Sequence, residues 1–506
     1  MSSPHGHTSP LMRIVSRYAL LVVVLLLVVN VATFLWVGPY GLRGAMSPVG
    51  QAYSNIQRYF VGEVDEQALL DAALKGMADA LGDENTSYLS PEELSFFKES
   101  VGGAFTGIGA EIDLHEERLR IVAPLDDSPA WRAGVLPGDI VLSIDGEDTL
   151  GIDLFDAMKR LKGEEGTTVE IRVRHRDGTI ADLTITRGVI QVASVKGFRR
   201  EFGNGYDYML DPIDKIAYLR LTQFGETSYE EVEATLRSLK ARGMAALILD
   251  LRDNGGGLLD GAVGIADLFL TGGQTIVSTK GKSAANDVIE STDQTLLPDL
   301  PLVVLINGNS ASASEIVAGA MADNGRALLV GTRTFGKGSV QQLIPLGDKR
   351  MALKLTTAYW YLPSGKMIHR KPGAASWGVD PSPGCFVPME PDALRAMLMK
   401  RRESEVNDPY ASLDGAVTPT WLREVMLDEP LAAGLAAAKS YLNSGRWPAV
   451  GVSAEIALAE PTEREQLERR RKELVEMLEA VDEEIEQLAE QPAMSDALIA
   501  QPVEGD

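Results

Sequence analysis

Cysteine is almost absent: Cys385 is the only one in 506 residues, which rules out an intrachain disulfide and any multi-cysteine metal site. Histidine is scarce, at His5, His7, His115, His175 and His369, so imidazole-based catalysis has few residues to draw on. Positive charge is in deficit. Lys and Arg number 48 against 72 Asp and Glu, a formal charge of −24, and with no basic patch such a chain repels a polyphosphate, so no nucleic-acid partner is expected. The balance is otherwise that of a folded protein, 45% hydrophobic and 24% charged, which excludes wholesale disorder. At ~150 residues per domain the length suggests about three folded units.

Charge is also missing from Tyr18 to Val37, 20 residues dominated by Leu and Val and preceded by Arg13 and Arg17. As a helix this run spans ~30 Å, the thickness of a bilayer's hydrocarbon core. A cleavable signal peptide has a shorter apolar region, ~7–15 residues, and a small-residue cleavage site, neither of which is evident here. The expectation is therefore a cytoplasmic segment 1–17 and an uncleaved single-pass anchor over 18–37. The arginines ahead of it hold the N-terminus inside, so everything after residue 40 lies on the far side of an inner or plasma membrane, periplasmic or extracellular.

Residues 45–100 read as helical, with Ile56, Tyr59, Phe60, Leu69, Leu70, Leu74 and Met77 at three- and four-residue spacings. Ser90-Pro91-Glu92-Glu93 has the form of a helix start. From 101 to 187 the texture becomes short β-rich runs, "RLRIVAPL", "DIVLSIDG", "TVEIRVRH" and "IADLTITRG", parted by glycine turns. From 188 to 385 apolar runs ("IAYLRL", "ALILDL", "PLVVLIN", "ALLVG") alternate with helical stretches, the pattern of an α/β unit around a buried sheet. The remainder, 386–506, reads as helical. Within it Leu467, Leu474, Leu478, Val481, Ile485 and Leu488 form a heptad-like stripe, consistent with a coiled coil over 464–490 that joins chains into a homo-oligomer, or with one amphipathic helix packed on its own domain.

Phe105-Thr106-Gly107-Ile108-Gly109-Ala110-Glu111-Ile112, then Ser128-Pro129-Ala130 and Ala133-Gly134-Val135-Leu136-Pro137-Gly138-Asp139, resemble a PDZ domain. In that family the glycine loop presents backbone N–H groups to a peptide's terminal carboxylate while the peptide adds as a strand, which places Gly107, Ile108, Gly109 and Ala110 in the binding loop. Glycine suits this because it lets backbone approach an anion. The helix carrying Leu154, Phe155 and Met158 is expected to line the pocket for the last side chain, unless one of the three belongs to the domain's own core.

In the α/β region three stretches follow apolar runs: Asp250-Leu251-Arg252-Asp253-Asn254-Gly255-Gly256-Gly257, Ser310-Ala311-Ser312-Ala313-Ser314-Glu315, and Phe335-Gly336-Lys337-Gly338-Ser339-Val340-Gln341. Small residues around a serine admit a substrate backbone, and a glycine triplet at a strand end can offer N–H donors to an oxyanion. A serine hydroxyl needs a base. His115 and His175 fall in the PDZ-like part and only His369 lies in this region, so a Ser-His-Asp triad is poorly supported. A lysine whose charge is suppressed by burial can serve instead, and Lys337, flanked by glycines, is the candidate.

These motifs behind a PDZ-like module resemble the C-terminal processing peptidases, or tail-specific proteases, over roughly residues 50–385. The resemblance implies a crotonase-like α/β core, a Ser312 nucleophile with Lys337 as base, Gln341 to orient the lysine, and the backbone N–H groups of Gly256 and Ala313 as oxyanion donors. The family often has proline where this chain has Gly255. Ser310 and Ser314 remain as alternative roles, each a helix N-cap. No metal or organic cofactor is implied, and the expected partners are exported proteins with accessible C-terminal tails. Two other classes are compatible with parts of the pattern. Gly331 to Lys337 has Walker A spacing, but Gly338 stands where a magnesium-binding Ser or Thr is needed. A catalytically inactive PDZ scaffold has no need of serine, lysine and glutamine in register.

Overall fold

The computed structural model describes residues 42–452, apart from short interior stretches, together with Arg471. The expected anchor over 18–37 and the heptad stripe at 467–488 lie outside the described residues. Among the described residues no helix is long and apolar enough to cross a membrane.

The chain forms two compact units, one from the described residues up to Ser90 with Ile344–Lys354, the other from Pro91–Leu343 and the described residues from Leu355 on. In the first, the helices Leu42–Tyr59 and Glu66–Asp79 precede a short strand, Ser87–Leu89, which pairs antiparallel with Ala352 to Lys354. Asp65 caps the second helix by accepting from Ala68 N–H at 3.0 Å. The apolar positions at helical spacing are largely exposed here, Tyr59 at 71% and Phe60 at 60%.

The second unit is built on a sheet whose central strands Ile216–Leu221, Ala246–Asp250, Leu302–Ile306 and Leu328–Gly331 run parallel. Every residue of Ala246–Asp250 and Leu302–Ile306 is buried, which is why these strands read as unbroken apolar runs rather than alternating ones. Helices Ser228–Ala241, Leu259–Asp267 and Ala313–Asp323 contribute to the core on one face. The other face is covered by Glu429–Ser444, whose Ala432, Leu435 and Ala438 are fully buried. Parallel strands put the loops after Asp250, Ile306 and Gly331 at one edge, and these loops carry the three motifs.

The PDZ-like part is a second sheet of Ala110–His115, Arg118–Pro124, Ile140–Ile144, Thr168–Arg174 and Ile180–Thr186 around the helix Leu154–Leu161, with its own core of Leu119, Ile121, Val141, Val169 and Ile171. An outer pair, Ala104–Gly107 with Gly188–Gln191, carries this part four residues past 187. The sequence pattern left one sheet unread, Thr275–Gly281 with Asp287–Glu290 and the long hairpin Ser339–Leu346 and Met351–Tyr361. Its strands are half-exposed and polar in part, so no apolar run marks them.

Candidate active site

Asn254 fastens the glycine loop to the serine loop. It is fully buried; its Nδ2 donates to Leu221 O at 2.8 Å, and its own carbonyl accepts from Ala311 N–H at 3.0 Å and Ser314 Oγ at 2.9 Å. The loops touch at Gly256, where a Cβ would lie 2.7 Å from both Ala311 O and Ser312 Cβ and 2.9 Å from Ala313 N. Gly256 is at φ +100°, and only glycine fits both the space and the dihedral. Gly255 has no positive φ and open space at its Cβ position, so a side chain is sterically tolerated where the family often has proline.

The three serines separate by what their surroundings consume. Ser310 Oγ donates to Leu251 O at 2.8 Å and accepts from Asn307 N–H at 3.0 Å. Ser314 Oγ is spent on Asn254 O. Both are fully buried and act as backbone ties across the loops, not as the helix caps expected from sequence. Ser312 is the N-cap residue of Ala313–Asp323 and only half-buried, at φ 54° and ψ −114°. That conformation is costly for a residue with a Cβ and persists only where the surroundings enforce it. Ala313, the first helical residue, has no intrahelical acceptor for its N–H, and it adjoins Gly256.

Glu315 supplies the enforcement. It is fully buried, and its Oε2 accepts from Ser312 N–H at 2.9 Å and from Lys337 N–H at 2.8 Å. Oε1 accepts from Gly336 N–H at 2.7 Å and Thr334 Oγ1 at 2.5 Å. One carboxylate thus holds the serine and lysine backbones to a single oxygen. Burial pushes its pKa above the usual carboxylate value even though four donors favour the charged form. The lysine loop is further fixed by Phe335 N–H to Ser310 O at 3.0 Å, Arg370 N–H to Gly336 O at 2.8 Å and Trp360 Nε1 to Lys337 O at 3.2 Å.

Of the expected site residues, Ser312, Ala313 and Gly256 adjoin, and the Lys337 backbone shares the Glu315 carboxylate with that of Ser312; three features differ from expectation. Lys337 is half-buried rather than fully buried. The Gly256 N–H donates to Asn254 Oδ1 at 2.9 Å, so it is engaged inside its own loop. Gln341 Nε2 donates to Ser339 Oγ at 2.8 Å and Thr356 Oγ1 at 3.3 Å. The Walker A reading fails because the segment after Lys337 is a strand, Ser339–Leu346, and no helix N-terminus follows to receive a phosphate. Glu315 and Asn254 were missed as functional residues, although Ser312 and Glu315 stand at the three-residue spacing of a capping box, which could have marked the glutamate.

In the PDZ-like part a cavity of about 260 Å³ is lined by Phe96, Phe105, Ile108, Gly109, Ala110, Ile112, Met158 and Leu161, with Glu99 and Lys162 at its polar side. Of the three helix residues expected there, only Met158 lines it. Leu154 packs on the domain core and Phe155 is 54% exposed. Gly107 ends the strand beside it, its Cβ position 3.5 Å from Leu161 O and Lys162 Cα. Among the described residues no group of His, Cys, Asp or Glu side chains is arranged to hold a metal ion.

A parallel sheet presenting a serine on a strained turn, beside a PDZ domain, defines a class of hydrolytic enzyme, and comparison with known proteins identifies the family. Residues 215–382 match Peptidase family S41, 120–175 match a PDZ domain, and 41–93 match the Activating protease CtpB N-terminal domain. The chain is 39% identical over 326 residues to a carboxy-terminal-processing protease of Bartonella bacilliformis, covering 63% of this chain and 71% of that one. It is 32% identical to the carboxy-terminal processing protease CtpA of Bacillus subtilis (64% of this chain and 66% of that one covered) and 33% identical to CtpB of the same organism (67% of each covered). The chain belongs to peptidase family S41, among the carboxy-terminal-processing proteases that carry a PDZ domain.

Proposed function

We propose that this protein is a membrane-anchored serine endopeptidase in which Ser312 attacks the scissile carbonyl and Lys337 is the general base. The observation that carries this reading is the shared carboxylate oxygen of Glu315, 2.9 Å from Ser312 N and 2.8 Å from Lys337 N, which gives a nucleophile and a base a common anchor. Neutral Lys337 takes the hydroxyl proton as the Ser312 oxygen bonds to the carbonyl carbon, and returns it to the leaving amine as the C–N bond breaks. Water then hydrolyses the acyl-enzyme. The oxyanion is received by the Ala313 N–H and, once it turns from Asn254 Oδ1, by that of Gly256. The carbonyl oxygen of the Gln341 side chain orients the lysine. The PDZ domain engages C-terminal tails of exported proteins, with Gly107 to Ala110 facing the terminal carboxylate and Met158 the last side chain.

The dyad is tested by peptide cleavage with Lys337→Ala, Lys337→Arg and His369→Ala. Both lysine variants should lose turnover while retaining the fold, because a guanidinium does not give up its proton, and His369→Ala should stay near wild type. Activity in Lys337→Ala with loss in His369→Ala would overturn the assignment. The anchor over 18–37 and the placement of the catalytic part outside the cytoplasm are read by fractionation and by added protease. A soluble mature form starting between residues 38 and 50 would refute the anchor in favour of a cleaved signal peptide, and protection of the catalytic part from added protease would refute its placement outside.

A further inference from the structure

The helix Pro91–Gly102 precedes the PDZ domain, yet it supplies one wall of the peptide cavity through Phe96 and Glu99. Glu99 Oε2 is 2.9 Å from Lys162 Nζ. The same ammonium stands 4.7 Å from the Phe96 ring centre and 5.3 Å from that of Phe105. Lys162 caps the helix Leu154–Leu161 at the end nearest Gly107. A cation between two aromatic faces, at the glycine-loop end of an apolar cavity, is where a terminal carboxylate finds its counter-ion, and it already holds a carboxylate from another part of the chain.

Two residues beyond Glu99, the last turn of this helix is bonded to the catalytic core. Val101 O accepts from Glu226 N–H at 3.1 Å, and a Cβ on Gly225 would lie 3.0 Å from Val101 O. The adjoining Phe224 is laced to the glycine loop, its N–H donating to Gly256 O at 3.0 Å and its carbonyl accepting from Leu258 N–H at 2.8 Å. The segment that closes the peptide cavity is therefore tied by consecutive backbone hydrogen bonds to the loop whose Gly256 N–H is turned inward on Asn254.

We infer that Glu99 is an internal substitute for the substrate's terminal carboxylate: a tail entering the cavity takes Lys162 from Glu99, and the last turn of the helix Pro91–Gly102, released from that ion pair, relays occupancy through Val101 to the Gly256 loop. This rests on the tail-recognition reading above and adds the residues that sense the tail. It commits to one occupant, a peptide with a free C-terminus and an apolar last side chain, on charge complementarity with Lys162 and the apolar walls. Exchange of one carboxylate for another costs little electrostatically, and the tail's last side chain adds the apolar burial that tips it.

The test uses the full chain with a labelled peptide ending in an apolar residue, as free acid and as amide, and an unstructured reporter for cleavage. Glu99→Ala, with Glu99→Gln as the variant that keeps the side chain's size, should bind the free acid about two- to fivefold more tightly than wild type, the range of a partly exposed ion pair. Amide binding should be unchanged, and cleavage without added peptide should rise. Lys162→Met should bind acid and amide equally. Lys159→Ala is the control, since its contact with Glu92 at 3.8 Å joins the same two helices at exposed positions; it should match wild type. If wild type prefers the acid but both Glu99 variants bind as wild type does, the exchange is wrong and tail recognition stands. Tighter binding with unraised cleavage would overturn the relay to Gly256. Equal binding of acid and amide by wild type would remove the tail-recognition reading itself.

Discussion

At Ser312 the backbone is held at φ 54° and ψ −114°, a conformation that glycine adopts freely and other residues resist at a cost of about 1–3 kcal/mol. The strain is offset by the bonds around it, chiefly Ser312 N–H to Glu315. Two substitutions that both delete the hydroxyl should therefore differ in stability. Ser312→Gly is expected to be more stable than Ser312→Ala by about 1 kcal/mol in urea unfolding, with neither cleaving peptide. Equal stabilities would mean that the turn is not strained in solution. His369 packs against the lysine loop: a Cβ on Gly338 would come within 2.8 Å of His369 N.

Among elements, the loops after the parallel strands make the site, and the glycine triplet shows how unequal adjacent positions can be. Gly256 is pressed on Ser312, and Gly257, at φ +146°, would put a Cβ 2.1 Å from Phe224 O. Gly255 faces open space. Gly255→Ala should therefore keep activity and raise stability by about 0.4–1 kcal/mol through the unfolded chain. Gly256→Ala should lose cleavage by at least tenfold as the serine loop is displaced, in both cases read by peptide turnover and thermal unfolding together. Full activity in Gly256→Ala would show that the two loops do not touch as described.

Across the whole molecule, the region after 386 reaches the motif through charge. Arg252 is 3% exposed and Asp428 4%. The Arg252 guanidinium spans Asp250 at 2.7 Å and Asp428 at 2.7 Å, while Asp428 also caps Glu429–Ser444 through Leu431 N–H at 3.0 Å. Burial opposes ionisation of Asp250 and Asp428, and the Arg252 charge overrides it, holding both carboxyls below their usual range. Because they ionise more readily folded than unfolded, the stability they lend is present above the ordinary carboxylate value of ~3.9 and is lost as pH falls through the lowered one. Asp428→Asn should cost about 3 kcal/mol at neutral pH by leaving buried charge unbalanced, and its gap to wild type should narrow below about pH 4. A gap independent of pH would assign the loss to the helix cap alone.

Local sequence determined the strands with unbroken apolar runs and the change of texture into a β-rich module, which begins at Ala104 after a helix that runs to Gly102, and it marked Ser312 and Lys337 as the residues to watch, because periodicity and motif spacing are written along the chain. It did not reveal the half-polar hairpin of Ser339–Leu346 and Met351–Tyr361, whose strands lack a clean alternation. Tertiary structure alone decided which serine hydroxyls are consumed, that Asn254 holds the Gly256 N–H, that Glu315 joins two loops more than 20 residues apart, and that Phe96 and Glu99 close a cavity belonging to the next domain. A side chain's face can be read from its neighbours in sequence, whereas the partner of a buried donor or carboxylate is set by whichever distant segment the fold brings against it.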